Sequence, residues 1–456
     1  MSNLSIRRPV HRATLEWLLC TSLLLAMPLI NGFPFTYPDT GTYLASAFRG
    51  FVPYDRPYWY GVFLRVTSGG GHSLWGPIVA QSMLCAYLLL RTVRHFVSSS
   101  LPAILVVVIF LVACTGVSWY AGQLMPDIFT GIGLLALLLL LIENTSTSRL
   151  VGYATLLVLA VLVHASNLLA FSIAIALVFL TFRSIPIARR RAAFILIALC
   201  WPLLLALNAA VTGRASLGRG GHVFLVARLI DANILPDWLD AHCPGASGLC
   251  DYRDRLPTTA HDFLWAPDSP LYGMGGWAAP PDDYDHVVRS ALSEPAFLLR
   301  FAINSLQGAG RQLIEFHVGA GFNGTNLSEP GDPVHYMLRN TMHQDYAAFL
   351  AARQTSRVGN VEWTTQADRL FIPVMVISHL ALLLLLLLPS ALLPPGWRCA
   401  ALLVVIVLLS NALVCASLSM VADRFSSRVN WVVPLLVAIA LIHLLARTRW
   451  MTRNKG

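Results

Sequence analysis

Apolar runs close to 20 residues long recur through the chain and are separated by shorter polar segments. An α-helix needs about 20 apolar residues to cross the hydrocarbon of a bilayer. Within lipid every backbone amide must find its partner inside the structure, so crossing segments are helices or strands of a closed barrel. Runs such as Leu134–Leu141 and Leu382–Leu388 lack the alternation of apolar and polar positions that marks a barrel strand. The pattern therefore predicts an all-α polytopic membrane protein.

Ten runs are long enough to be interpreted as transmembrane helices, and ten crossings leave both chain ends on one side of the membrane. Only His164–Asn167 separates the fifth run from the sixth, so residues 150–183 form either two helices or one long kinked helix. The predicted spans are 14–33, 75–95, 101–119, 127–143, 150–164, 167–183, 194–212, 370–390, 399–419 and 429–446.

Composition excludes a water-soluble protein and a nucleic-acid-binding one. Charged residues make up 12% of the chain, against about 25% in soluble domains. The net charge of +9 comes from basic clusters that all fall on one side of the predicted membrane. Such clusters mark the cytoplasmic side, so we expect both termini in the cytoplasm and no nucleic-acid partner. They are Arg7, Arg8 and Arg12; Arg91 and Arg94; Arg183 and Arg189–Arg191; and Arg447, Arg449, Arg453 and Lys455.

With this orientation the chain divides into three regions. Residues 1–212 form an N-terminal module of about seven helices, whose first outer loop at 34–74 is rich in Tyr, Gly and Pro. Residues 213–369 form a large extracytoplasmic domain between the seventh and eighth helices. Residues 370–456 form a C-terminal module of about three helices.

Cys243 and Cys250 lie in the extracytoplasmic domain, whereas the other cysteines lie in or beside apolar spans. The space outside the cytoplasm is oxidising, so we expect a Cys243–Cys250 disulfide. A zinc site needs more Cys or His ligands than the single neighbour His242 supplies.

A second feature of this domain is the segment Asp285–Phe316, which has the apolar periodicity of a helix. Its apolar face includes Leu298, Leu299, Ile303 and Leu306. This helix either lies in the membrane interface or packs within the domain.

Two acidic residues stand where predicted outer loops meet the membrane. Asp39 lies just outside the first span among tyrosines, and Asp127 begins the fourth span after Pro126. A carboxylate at the hydrocarbon boundary is partly desolvated, and desolvation raises its pKa toward the range of a general base. Helix capping is the alternative interpretation for both residues.

This arrangement resembles the GT-C superfamily of integral-membrane glycosyltransferases, which use polyprenyl-phosphate sugars and include protein mannosyltransferases and aminoarabinose transferases. The features that carry the resemblance are an acid in the long first outer loop, an acid at the second outer loop, and a large late outer domain. It implies that Asp39 is the catalytic base or orients the acceptor, and that Asp127 positions substrate or metal. The chain departs from the family in lacking the frequent Asp-Glu pair in the first loop and in having His164 where many relatives place a lysine.

The resemblance implies a polyprenyl-phosphate-linked sugar donor, a glycan, lipid or protein acceptor, and a location in a bacterial inner membrane. A divalent metal ion is left open as a cofactor, with Asp39 and Asp127 as ligands if one is used. Arginine binds phosphate through a planar fork, and outer arginines are available, although they could instead form surface ion pairs or contact anionic lipid. His164 is a candidate because ionisable residues at membrane depth are usually functional, or else hydrogen-bonded between helices. The arginines expected to bind phosphate are Arg56, Arg65, Arg214, Arg219, Arg424 and Arg428.

Two other functions fit the same architecture. An O-antigen-type polymerase or ligase also combines many helices with a large late outer loop, and would depend on outer arginines and histidines. A lipid or solute transporter or flippase is the alternative from another class, although the spans carry few charges and no inverted repeat is visible. No Walker or GxGxxG pattern is present.

Overall fold

The computed structural model describes residues 10–97, 100–319, 322, 331–355 and 360–453. These residues are almost wholly helical and hold no β-strand, with only an isolated bridge between Phe35 and Gln123. The predicted basic residues Arg7, Arg8 and Lys455 lie outside the described residues. The all-α class is therefore confirmed for the described part of the chain.

Five helical segments in the described residues are long and apolar enough to cross a membrane. This agrees with a helical membrane protein. They are Trp75–Phe96, Ile187–Thr212, Trp363–Leu387, Trp397–Leu418 and Asp423–Thr448. Four further apolar helices are shorter, namely Leu101–Cys114, Ile128–Ile142, Thr147–Val163 and Ala165–Thr181.

The helices are numbered in chain order. The N-terminal part contains α1 (Val10–Leu24), α2 (Ala26–Asn31), α3 (Pro38–Arg49), α4 (Trp59–Thr67), α5 (Trp75–Phe96), α6 (Leu101–Cys114), α7 (Val117–Ala121), α8 (Ile128–Ile142), α9 (Thr147–Val163), α10 (Ala165–Thr181) and α11 (Ile187–Thr212). The middle part contains α12 (Gly221–Asp231), α13 (Leu235–His242), α14 (Ala260–Trp265), α15 (Pro270–Gly273), α16 (Pro281–Ser293), α17 (Pro295–Ile314), α18 (Pro333–Thr341) and α19 (His343–Ala351). The C-terminal part contains α20 (Asn360–Leu387), α21 (Trp397–Leu418), α22 (Asp423–Asn430) and α23 (Val432–Arg453).

The first predicted span, 14–33, is broken into α1 and α2 because of Pro28. Proline has no amide hydrogen, so Pro28 cannot donate to the carbonyl of Leu24 one turn earlier. The Ser118 hydroxyl donates to that carbonyl instead, at 2.8 Å. Ser118 Oγ also accepts from the Met27 amide at 3.1 Å, so α7 supplies the bonds that the break removes.

Residues 150–183 form two helices. Helix α9 ends at Val163, His164 is extended with φ −147° and ψ 100°, and α10 begins at Ala165. The chain reverses direction there, because the start of α9 and the end of α10 lie at the same end of the bundle. Tyr153 donates to Glu143 near the start of α9. The end of α10 meets the same region, since Arg190 donates to the Phe179 carbonyl and Arg189 to that of Glu143.

One end of the bundle carries buried ion pairs made by residues of the basic clusters. The carboxylate of Glu16 on α1 pairs with Arg94 on α5 and with Arg12. Glu143, after α8, pairs with Arg91. The helices α3, α4 and α22 lie at the opposite end, around Asp39 and Asp127.

The predicted domain at 213–369 divides between two hydrophobic cores. Residues 223–291 form a small core of their own, called the second core, in which Trp238, Phe263 and Tyr284 are fully buried. The segment from Phe316 to Ala352 joins the main core instead. The reason is the close packing of α18 on α3, where a Cβ at Gly41 would lie 2.7 Å from Pro333. The second half of this region thereby covers α3.

Candidate functional site

Helix α3 presents Asp39 in its first turn. The helix begins at Pro38 after an extended Tyr37, and the Tyr37 amide donates to the Thr40 hydroxyl at 2.9 Å. Thr40 in turn donates to the Leu124 carbonyl at 3.2 Å, which ties this turn to the segment before α8. The capping contact is thus made by Thr40, and the Asp39 carboxylate is left for other partners.

Two arginines hold the Asp39 carboxylate, one at each oxygen. Arg56, which lies between α3 and α4, places Nη1 2.7 Å from Oδ1. Arg424 of α22 donates from Nη1 to Oδ2 at 3.1 Å. Arg56 also pairs with Asp55. The Asp39 side chain is 17% exposed, so this is a half-buried ion cluster with an opening to solvent.

The arginines reverse the direction expected for the pKa of Asp39. Burial acts to raise the pKa of this carboxyl, but the charges of Arg56 and Arg424 and their hydrogen bonds outweigh burial and lower it below its ordinary value. The expectation that desolvation sets this pKa is wrong, because it took no account of two cations brought in by folding. Asp39 is therefore an ionised carboxylate at neutral pH.

Aromatic rings cover the same arginines. The Arg424 guanidinium lies 4.4 Å from the centroid of Tyr37 and 5.1 Å from that of Phe425. The Arg56 guanidinium lies 5.7 Å from the centroid of Tyr43. Cation–π contacts of this kind fix the orientation of a guanidinium while leaving its N–H edge free to bind an anion.

Asp127 and Arg428 form a second, more deeply buried pair. Asp127 occupies the N-cap position of α8, but its side chain caps no backbone amide. Its Oδ1 lies 3.4 Å from Nη1 of Arg428, whose side chain has no exposed surface. Arg428 Nη2 also donates to Oδ1 of Asn411 at 3.0 Å, which ties the pair to α21.

His164 completes this second cluster and has a defined tautomer. Its Nε2 lies 2.6 Å from Nη1 of Arg428, and a guanidinium can only donate, so Nε2 must be the acceptor. The ring hydrogen is then on Nδ1 and is donated to the Ser166 hydroxyl at 2.8 Å. His164 is thus a neutral hydrogen-bonded histidine that holds Arg428.

Helix α22 connects the two clusters. Arg424 and Arg428 are four residues apart, which places them on the same face one turn apart. One reaches Asp39 on α3, and the other reaches Asp127 at the start of α8. The two carboxylates, 88 positions apart in sequence, are therefore neighbours across a single helical turn of arginines.

The structure does not bring the other predicted phosphate ligands to this site. Arg65 donates to the Ala47 carbonyl at 3.0 Å. Arg214 is exposed after α11. Arg219 lies 3.7 Å from the centroid of Tyr54 and donates to Val52 O at 3.1 Å. Of the six predicted arginines, Arg56, Arg424 and Arg428 contact the two carboxylates.

Sequence reasoning missed two residues that shape the site. Asn411 lies within an apolar span, and a polar side chain at that depth is a signal for an interhelical contact. Gln312 of α17 donates to the Ala422 carbonyl at 2.7 Å and to the Ser426 hydroxyl at 2.8 Å, so it holds the start of α22. No local pattern around Gln312 indicates that contact.

The donor set does not fit a divalent metal bound between the two acids. No group of three or more His, Cys, Asp or Glu side chains that could hold a metal ion occurs among the described residues. Both oxygens of Asp39 face guanidinium groups, and a divalent cation placed there would be repelled by them. The described residues around Asp39 and Asp127 therefore do not form a divalent metal site.

Cys243 and Cys250 are joined in a disulfide, with their Cα atoms 5.7 Å apart. The bond closes the turn between α13 and the following 3₁₀ helix, on the surface of the second core.

No protein-family model, curated protein or solved structure matches this chain.

Proposed function

We propose that this chain is a membrane glycosyltransferase that moves a sugar from a polyprenyl-phosphate donor to a hydroxyl of a glycan, lipid or protein. One observation supports the proposal above the others. An ionised, mostly buried carboxylate, Asp39, stands beside two arginines whose charges suit a phosphate, at one end of a bundle of apolar helices. A water-borne hydroxyl and a lipid-borne phosphate can meet at such a place.

The proposed topology has ten crossings, with both termini in the cytoplasm of a bacterial cell and the Asp39 end facing outward across the inner membrane. The basic clusters support this orientation, because Arg12, Arg91, Arg94 and Arg189 all lie at the end of the bundle remote from Asp39. The crossing units would be α1 with α2, α5, α6 with α7, α8, α9, α10, α11, α20, α21 and α23.

In the proposed reaction the acceptor oxygen attacks the anomeric carbon of the donor sugar. The new bond joins that carbon to the acceptor oxygen, and the bond between the carbon and the phosphate oxygen breaks. Asp39 takes the proton of the acceptor hydroxyl. Arg424 and Arg56 stabilise the negative charge that the departing polyprenyl phosphate gains.

The ion cluster gives Asp39 a way to become a stronger base when the donor binds. A carboxylate with a lowered pKa is a weak proton acceptor while both arginines face it. A bound phosphate competes for the same guanidinium groups and reduces the charge that they direct at Asp39. The pKa of Asp39 then rises, because the desolvation that Arg56 and Arg424 had outweighed is no longer opposed to the same extent.

The second cluster has a positioning role in this proposal. Arg428 is fully enclosed and is held by Asp127, His164 and Asn411. It fixes α22 against α8 and the α9–α10 turn, and so sets where Arg424 stands one turn earlier.

A second candidate is an O-antigen-type polymerase or ligase, which would use arginine and histidine directly. The contact of 2.6 Å between Arg428 Nη1 and His164 Nε2 favours it. The enclosure of Arg428 weighs against it, since a substrate would first have to displace Asp127.

The test uses the full chain reconstituted in liposomes with polyprenyl-phosphate hexoses labelled in the sugar. Asp39→Asn is expected to abolish the covalent product, whereas the matched variant Asp254→Asn, at an exposed acid of the second core, should retain it. Full product formation by folded Asp39→Asn would overturn the assignment. Movement of the label across the bilayer without a covalent product would show a flippase instead.

A further inference from the structure

Helix α17 presents three distinct faces. At 3.6 residues per turn, its buried face contains Ser305, Gly308 and Gln312. A strip roughly 160° wide at that periodicity is apolar and uncovered. The large side chains on this strip are Leu298, Leu299, Ile303, Leu306 and Ile314, of which Leu299 is 61% exposed and Leu306 65% exposed.

The third face is a polar edge beside the apolar strip. It carries Arg300, Gln307 and Arg311, which fall within about 40° of one another around the helix axis. All three are exposed. Arg300 is paired with Asp237 of the second core at 2.5 Å, so that core stands on the polar side of the helix.

The buried face attaches α17 to segments that are apolar enough to cross a membrane. A Cβ at Gly308 would lie 3.1 Å from the Cβ of Ala416 on α21, the kind of small-residue contact that membrane helices use. Helix α21 also carries exposed leucines, Leu402 and Leu409 among them. Helix α17 is therefore attached to a helix that is itself apolar enough to cross a membrane and carries exposed apolar side chains.

The depth of α17 follows from its C-terminal end. Gln312 bonds to Ala422 and Ser426, at the start of α22 and therefore at the Asp39 end of the bundle. An apolar strip next to an arginine edge, at the end of a set of crossing helices, is the arrangement of a helix at the boundary between hydrocarbon and headgroups.

We propose that α17 lies in the lipid monolayer on the Asp39 side, with Leu298, Leu299, Ile303 and Leu306 in the acyl chains and Arg300 and Arg311 among the headgroups. The helix is then a lipid-seated support for α22. It sets the height of Arg424 relative to the bilayer surface, whatever reaction the site performs.

The test compares two environment-sensitive labels in full-length protein in nanodiscs. Cysteine is introduced by Leu306→Cys on the apolar strip and by Arg311→Cys on the polar edge, and each is labelled with the fluorophore NBD. The unsubstituted protein, with its six native free cysteines, gives the labelling background. The lipids carry a nitroxide on the upper acyl chain.

We expect NBD at position 306 to emit at shorter wavelength than NBD at 311 and to be quenched at least twofold more by the nitroxide lipids. Equal quenching at the two positions overturns the proposal. A shielded but unquenched label at 306 also overturns it, because a protein surface such as a second copy of the chain would then cover the strip. Gel filtration establishes that each labelled variant is folded.

Discussion

The Arg424 guanidinium donates to the Asp39 carboxylate at 3.1 Å, although 385 residues separate the two in sequence. This bond, together with the ion pair from Arg56, sets the direction of the pKa shift of Asp39. An acid in this position is ordinarily assigned the part of a proton acceptor. In the present geometry it is the counter-ion of two guanidinium groups. In the proposed reaction the bond would couple proton acceptance by Asp39 to the occupancy of the two arginines by phosphate.

The pH dependence of transfer should reveal that coupling. Without substrate the pKa of Asp39 is below its ordinary value of about 3.9, because Arg56 and Arg424 outweigh burial. The ion pairs are thus complete above that ordinary value and are lost as pH falls through the lowered pKa. The acid limb of kcat/KM, which reports free enzyme, should lie below about 4, and the limb of kcat should lie higher.

Removing one arginine should shift the acid limb of kcat/KM to higher pH. In Arg424→Gln one opposite charge is lost, and the acid limb of kcat/KM should rise by about one unit or more. The coupling would be contradicted if the acid limbs of kcat/KM and kcat fell at the same pH in the unsubstituted protein. It would also be contradicted if Arg424→Gln left the acid limb of kcat/KM unchanged.

Arg424 should also determine affinity for the lipid phosphate. Charge-assisted hydrogen bonds contribute about 1.5–3 kcal/mol, so Arg424→Gln should weaken binding of polyprenyl phosphate by roughly 10- to 100-fold. Arg424→Lys should recover only part of that loss, since an ammonium lacks the planar fork. Binding to protein in detergent is measured by isothermal titration calorimetry, with the uncharged polyprenol as a second ligand.

Arg65→Gln is the matched control, because the Arg65 guanidinium donates to the Ala47 carbonyl and contacts neither acid. Its dissociation constant should equal that of the unsubstituted protein. If Arg65→Gln and Arg424→Gln weaken binding equally, α22 does not hold the phosphate.

The sequence predicts the local features of this molecule better than the distant ones. Apolar periodicity suffices for the helical class, and Cys243 and Cys250 are close enough in sequence for their disulfide to be inferred. Between the predicted spans 399–419 and 429–446, by contrast, the sequence indicates only a short connecting segment. This segment largely forms α22, whose polar sequence becomes helical because Gln312, Asn411 and Asp127 bond to it from three other segments.

The pKa of Asp39 shows the same limit. The direction in which this pKa shifts depends on Arg56, 17 positions away, and on Arg424, near the other end of the chain. Desolvation can be inferred from a boundary position, but the compensating charges cannot be inferred before the fold is known. The sequence does not distinguish Arg56, Arg65, Arg214 and Arg219 as phosphate ligands either, because each lies in a predicted outer segment.

The Asp127–Arg428 pair should behave as a structural unit. Asp127→Leu leaves a fully buried guanidinium without its counter-ion, a change that costs about 3–5 kcal/mol. The double variant Asp127→Leu with Arg428→Met removes both charges and should recover most of that stability. Thermal unfolding in detergent, followed by tryptophan fluorescence, measures both.

Transfer activity distinguishes a positioning role from a catalytic one. If Asp127 only holds Arg428, the double variant should regain a measurable fraction of kcat together with its stability. A stable double variant with no detectable transfer would assign Asp127 or Arg428 to the chemistry itself.

The contact between Gly131 and Trp431 should control the placement of α22 from within the bundle. A Cβ at Gly131 of α8 would lie 2.4 Å from the Trp431 indole, which is fully buried and donates to the Arg428 carbonyl at 2.9 Å. Gly131→Ala must therefore displace the indole and, through it, the end of α22. Overpacking of this kind costs about 1–3 kcal/mol and should lower both Tm and affinity for polyprenyl phosphate.

Gly152→Ala is the matched control, because Gly152 lies within α9 and a Cβ there would meet nothing within 4 Å. Alanine is favoured over glycine in a helix by up to about 1 kcal/mol, so this variant should be neutral or slightly stabilised. Displacement of the Trp431 indole should move the Arg428 carbonyl that is hydrogen-bonded to it, and with it Arg424, which lies one helical turn before Arg428. The loss of affinity in Gly131→Ala should therefore exceed any change in Gly152→Ala. Equal affinities in the two variants would mean that the α8–Trp431 contact does not set the position of the arginines.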